Sequence, residues 1–251
     1  MDREEAFTMT DDLLALYIAG NAKPEVVSYL KGKFDGSLRF KDFAYLNRDK
    51  IRKKFSEAND KENEADIASE LKVAYLLLLD GRFSLTYEKY KSEKSRRAPD
   101  FTAVFQETLP FNVEVKRIRQ PPGYDFNRLY VSSSKESKKF SYSVLDNLPQ
   151  LVPEMPNVWV FKLGSWVHDY RDMQAGLDWL VDQVRQSDDS FFKQNGFDGR
   201  TQFCQHWQSL SAVVFLERDP NSLTQPNYAW LNPDATQQLP VEVCDYLEKM
   251  R

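Results

Sequence analysis

The stretch "APDFTAVFQETLPFNVEVKRIR", residues 98–119, decides how this chain reads. Two short apolar runs, "DFTAVF" (100–105) and "FNVEVKRI" (111–118), are joined by a turn-like "QETLP" and alternate in the manner of strands. Strand side chains point to opposite faces in turn. Phe111, Val113 and Val115 therefore share one face, and Asn112, Glu114 and Lys116 share the other. Glu114 and Lys116 stand about 7 Å apart along the strand. Pro99 precedes Asp100, and proline is tolerated at a strand's first position. Antiparallel pairing across the turn would set Asp100 beside Glu114 and Lys116. Two carboxylates and an ammonium converging in strands built for a core call for a chemical reason.

Outward from this hairpin, residues 11–55 predict two or three short helices, with "DDLLALYIAG" closing on Gly20 and "PEVVSYLKGKF" opening on Pro24. A longer helix is expected from about Glu62 to Leu79, stopped by Asp80-Gly81. Strands are expected at 82–90, 157–164, 210–218 and 227–232, helices within 134–150 and over 172–186, and "VEVCDYLEKM" as a last helix. The order predicts an α/β fold, a mixed sheet with helices on its faces. Residues 1–58 read as an N-terminal helical extension packed on the core, and 59–251 as the main domain.

Composition narrows the class. At 251 residues, 41% hydrophobic and 29% charged, the chain can bury a sizeable core. Its longest apolar run, Val73 to Leu79, is too short to span a bilayer, which predicts no membrane partner. The acidic start "MDREEAFTMTDD" is unlike a secretory signal, and Cys204 and Cys244 make no disulfide framework; the expected location is cytoplasmic. "CQH" at 204–206 lacks the paired spacing of a zinc site. The net charge of −4 argues against a coat of nucleic acid, yet residues 82–140 hold 13 Lys and Arg against 7 Asp and Glu. Basic character gathers around the hairpin, where a phosphate-bearing partner would feel it.

Paired carboxylates beside an ammonium suit metal-assisted phosphoryl chemistry. Mg²⁺ takes hard oxygen ligands, commonly one or two carboxylates with water and substrate phosphate. A lysine nearby can orient or deprotonate the attacking water, or neutralise charge growing on phosphorus. Glu/Asp-x-Lys occurs three times, at 70–72, 114–116 and 136–138, but only "EVK" (114–116) lies in a strand pattern and follows a Pro-Asp. That conjunction, Pro99-Asp100, thirteen residues, then "EVK", resembles the PD-(D/E)XK nuclease superfamily with its restriction-endonuclease-like fold. The resemblance covers roughly residues 62–164 and implies a metal-dependent nuclease acting on nucleic acid, DNA before RNA. It implies that Asp100, Glu114 and the carbonyl of Val115 hold Mg²⁺, with Mn²⁺ as a substitute. Lys116 would act on water.

The superfamily usually adds an acid from the preceding helix, and Glu70 is the match, as holder of a second metal or orienter of water. Glu70 lies on or beside the apolar stripe of its helix, where a carboxylate is expensive unless paired or metal-bound. A basic or amide side chain from the helix after the motif is also implied, with Lys135, Lys138, Lys139 and Gln150 as candidates. Arg96, Arg97, Arg117, Arg119, Lys138 and Lys139 are the expected phosphate contacts, with Tyr124, Phe126 and Tyr130 available for stacking on bases. No helix-turn-helix or zinc finger offers sequence-specific recognition. One alternative is a non-catalytic nucleic-acid- or protein-binding module on the same fold. The other is an interaction protein working through its acidic outer helices. As a plain cross-strand ion pair, the charged trio would be worth a few tenths of a kcal/mol.

Overall fold

The computed structural model describes residues 9–20, 24–90, 98–118, 134–163, 170–186, 188–216 and 227–250, with backbone alone at 134–139, 163, 170 and 172. Ten helices and six strands lie within these residues: α1 (Asp11–Ala19), α2 (Pro24–Gly36), α3 (Leu38–Leu46), α4 (Arg48–Glu57), α5 (Lys61–Leu79), β1 (Phe83–Tyr87), β2 (Phe101–Phe105), β3 (Leu109–Ile118), α6 (Ser134–Asn147), β4 (Asn157–Leu163), α7 (Tyr170–Gln186), α8 (Asp189–Gln194), α9 (Arg200–Ser209), β5 (Leu210–Leu216), β6 (Tyr228–Leu231) and α10 (Val241–Lys249). The fold is mixed α/β, a six-stranded mixed sheet in the order β1-β2-β3-β4-β5-β6 flanked by helices. β3 pairs parallel with β4 and β4 with β5, while β5 and β6 are antiparallel. Among the described residues, no helix is long and apolar enough to cross a membrane.

The chain divides into two compact units, residues 1–87 with 103–109, and residues 88–102 with 110–251. In the first, residues 11–57 form four helices where two or three were expected. Ser37 explains one break: its hydroxyl accepts from the Phe40 amide and starts α3 immediately after α2. Asn47 makes the next, ending α3 and opening α4. Phe34, Phe40 and Phe43 pack ring to ring, and Tyr75 of α5 meets Phe40 edge-on at 5.5 Å. The Arg39 guanidinium caps α5 by donating to the carbonyls of Leu78, Asp80 and Phe83, placing a cation at the negative end of the helix dipole.

The hairpin turn also belongs to this unit. Thr108 N–H donates to Phe105 O at 3.2 Å, and Gln106 and Glu107 both take positive φ, 48° and 61°. That is a type I′ turn, made here without the Asn-Gly that usually relieves its strain.

In the second unit, all seven residues of β5 are buried. α7 turns Met173, Leu177, Leu180 and Val181 inward, the i, i+4, i+7, i+8 pattern of an amphipathic helix. α6 contributes Phe140, Val144 and Leu145 to the same core, and the Ser141 hydroxyl donates to Gly176 O at 2.9 Å. α8 and α9 were not expected from sequence. Asp188 caps α8, and Gly196, at φ 84°, ends it, with Phe197 N–H reaching back to Phe192 O at 3.1 Å in the left-handed helix stop that glycine favours.

Candidate active site

β2 and β3 are adjacent, and their side chains reveal the register. Thr102 Oγ1 donates to Asn112 Oδ1 at 3.0 Å, and two residues outward Asp100 faces Glu114. The two acids interlock through each other's strand. Asp100 Oδ2 accepts from the Val115 N–H at 2.8 Å, and Glu114 Oε2 accepts from the Asp100 N–H at 3.2 Å. Glu114 Oε1 also lies 2.7 Å from Lys116 Nζ, with side-chain exposures of 11% and 31%. Asp100, Glu114, Val115 and Lys116 therefore come together at one end of β2 and β3. These donors offset the cost of enclosing a carboxylate.

Neighbouring polar groups were not anticipated. In the β3–β4 register Asn112 faces Asn157 and Glu114 faces Trp159. Asn112 Nδ2 donates to Asn157 Oδ1 at 3.1 Å, and Asn157 Nδ2 donates to the carbonyls of Val152, Met155 and Ser209. This buried amide chain ties β2, β3 and β4 together just below the acids. Asn112 shares its parity with Glu114, which was the available signal. A cavity with room for about one water molecule is lined by Glu114, Asn112, Asn157, Trp159, Pro99 and Gln150, among others. Of the helix residues considered from sequence, Gln150 reaches the same cavity as Glu114, its amide donating to Asn147 Oδ1 at 2.6 Å.

Glu70 is described within the first unit. Its Oε2 accepts from Lys54 Nζ at 2.7 Å and from the Tyr87 hydroxyl at 2.8 Å, and the Lys54 ammonium lies 4.8 Å from the Tyr87 ring centroid. The carboxylate that looked misplaced on an apolar stripe is thus paired with a cation and a phenol. Arg117 is half-buried on β3. Arg96, Arg97, Arg119, Tyr124, Phe126 and Tyr130 lie outside the described residues, as do the side chains of Lys135, Lys138 and Lys139.

Two carboxylates and a backbone carbonyl are the hard donors that Mg²⁺ takes, with water completing its shell. Among the described residues, no three or more His, Cys, Asp or Glu side chains gather closely enough to hold a metal ion by themselves. No protein-family model matches the chain, and no curated protein or solved structure matches it either.

Proposed function

We propose that this chain is a metal-dependent nuclease on a restriction-endonuclease-like core, hydrolysing phosphodiester bonds of nucleic acid, with DNA the preferred substrate class. The observation that carries the reading is the interlock of Asp100, Glu114 and Lys116. The element order α5-β1-β2-β3-α6-β4, with β3 and β4 parallel neighbours, supports the core assignment. Asp100, Glu114 and the Val115 carbonyl would hold Mg²⁺ or Mn²⁺. Such an ion, when bound, supplies Lewis-acid polarisation of a phosphoryl oxygen and a water of lowered pKa.

The chain's own groups do the rest. The amides of Val115 and Asp100 anchor the two carboxylates, so their orientation is set before substrate arrives. Lys116 carries an ammonium that orients the attacking water and offsets charge developing at phosphorus. Glu70, the further acid that the resemblance implies, is ion-paired with Lys54. Arg96, Arg97, Arg117, Arg119, Lys138 and Lys139 are the proposed phosphate contacts.

A second reading has its own support. Glu114 is ion-paired with Lys116 and Glu70 with Lys54, so these charges are balanced without a cation. That is what a non-catalytic binding module on the same fold would need. Incubation with linear, circular and single-stranded DNA and with RNA, in Mg²⁺ or Mn²⁺ and then in EDTA, separates the two. The nuclease reading expects cleavage that EDTA stops and that falls at least ~100-fold in Glu114→Ala and Lys116→Ala. Binding without cleavage, or cleavage indifferent to both substitutions, would establish the module or place the chemistry elsewhere.

A further inference from the structure

Where α2 meets α5, two lysines and two tyrosines cluster, and among the described residues no carboxylate pairs with either lysine. Tyr29 and Lys33 lie one turn apart on α2, and Lys72 and Tyr75 one turn apart on α5, so each pair shares a helix face. The Lys33 ammonium lies 4.2 Å from the centroid of the Tyr75 ring and 5.6 Å from that of Tyr29. Gly36 admits the Tyr75 hydroxyl, because a Cβ there would stand 2.5 Å from its oxygen. The Tyr29 hydroxyl is buried without a hydrogen-bond partner among the described residues. Lys33 and Lys72 have no ion pair with a described carboxylate.

Two ammonium groups held near one another and partly out of water repel, and each loses hydration. Burial first, and then the charge of Lys33, push the Lys72 amine below its usual range, and burial does the same to Lys33. Cation–π contact with two rings offsets part of this cost and holds Lys33 in place. A bound anion would balance the remaining positive charge.

We infer that Lys33 and Lys72, with the Tyr75 hydroxyl, form a binding site for a phosphate group. A phosphate presents up to two negative charges and several acceptor oxygens, matching two ammonium groups and a phenol O–H. Lys33, Lys72 and Tyr75 are all half-buried, so the group is approached from solvent. The site lies wholly in the first unit and does not depend on the nuclease reading. The phosphate comes either from a free ion or monoester, or from a nucleic-acid backbone.

Titration calorimetry with inorganic phosphate, and separately with a short thymidine oligomer lacking a terminal phosphate, tests the site and distinguishes these sources. Chloride at matched ionic strength is the control. Binding of either probe is expected to weaken at least ~10-fold in Lys33→Met and in Lys72→Met, the loss of one charge-assisted contact. Lys72→Arg, which keeps the charge, should retain most of it, and Tyr75→Phe should weaken it a few-fold. Tyr75→Phe and Lys72→Arg also serve if a methionine variant fails to fold. Heat no greater than in chloride for both probes, or affinity unchanged in the lysine-to-methionine variants, overturns the assignment.

Discussion

Asp100 does two jobs in this account, and two substitutions pull them apart. Its Oδ2 is the acceptor for the Val115 N–H, at 2.8 Å, and Val115 is buried. In Asp100→Ala that amide loses its acceptor in a place water reaches poorly. A hydrogen bond to a charged group is worth ~1.5–3 kcal/mol, and a buried unsatisfied donor costs ~1–3 kcal/mol. A loss of about 2 kcal/mol is therefore expected, which lowers a urea midpoint by ~1 M at an m-value near 2 kcal/mol/M. In Asp100→Asn the amide carbonyl still accepts, so the loss should stay under ~1 kcal/mol. The Asp100 N–H keeps its bond to Glu114 in both variants. Cleavage, in contrast, depends on the charge, and both variants should lose it by ~100-fold or more. Urea melts read the first job and a cleavage assay the second. Asp100→Ala melting with the wild type would refute the interlock, and Asp100→Asn cleaving at the wild-type rate would refute the metal-ligand role.

Glu70→Ala removes the acceptor that the Tyr87 hydroxyl and the Lys54 ammonium share, so it should cost ~1–3 kcal/mol in a denaturant melt, with Glu70→Gln costing less; no change would mean that these two contacts to Glu70 carry no stability. Glu107→Gly should stabilise the hairpin by ~1 kcal/mol, since position 107 holds φ at 61°, where a side chain is strained; a destabilised variant would show that the turn is not under strain. Burial pushes His206 below its ordinary pKa of 6.5, so the folded form resists protonation. Its contribution is fully present above 6.5 and is lost as pH falls from there through the lowered folded value. His206→Gln should flatten the pH dependence of stability just below 6.5, and an unchanged slope would count against partial burial of a neutral imidazole.

The parts of this architecture visible in the sequence are those set by local periodicity. α5, β3 and β4 run Lys61–Leu79, Leu109–Ile118 and Asn157–Leu163, within a few residues of expectation, because unbroken apolar patterns define them. The meeting of Asp100 with Glu114 follows from strand parity and a short turn, both readable from residues 98–119. What escaped depends on single capping residues or distant partners. Ser37 and Asn47 divide the N-terminal helices as single capping residues within short polar stretches. α8 is only six residues long, too short for a period to assert itself, and α9 turns just two apolar residues inward, Phe203 and Trp207. Glu70 advertised its need of a partner, but Lys54 and Tyr87 come from other elements, and no spacing rule selects them. The Asn112–Asn157 bridge likewise depends on the β3–β4 register, which only the assembled sheet determines.

The central claim, that the acids at 100 and 114 share a divalent cation, is open to direct observation. Crystals soaked in Mn²⁺ and measured at a wavelength where manganese scatters anomalously would locate the ion. A peak is expected within about 2.2 Å of carboxylate oxygens from both Asp100 and Glu114, displaced by excess Mg²⁺ and missing in Glu114→Gln. A protein that takes up no manganese there, or holds it elsewhere with the Glu114–Lys116 pair intact, would contradict it.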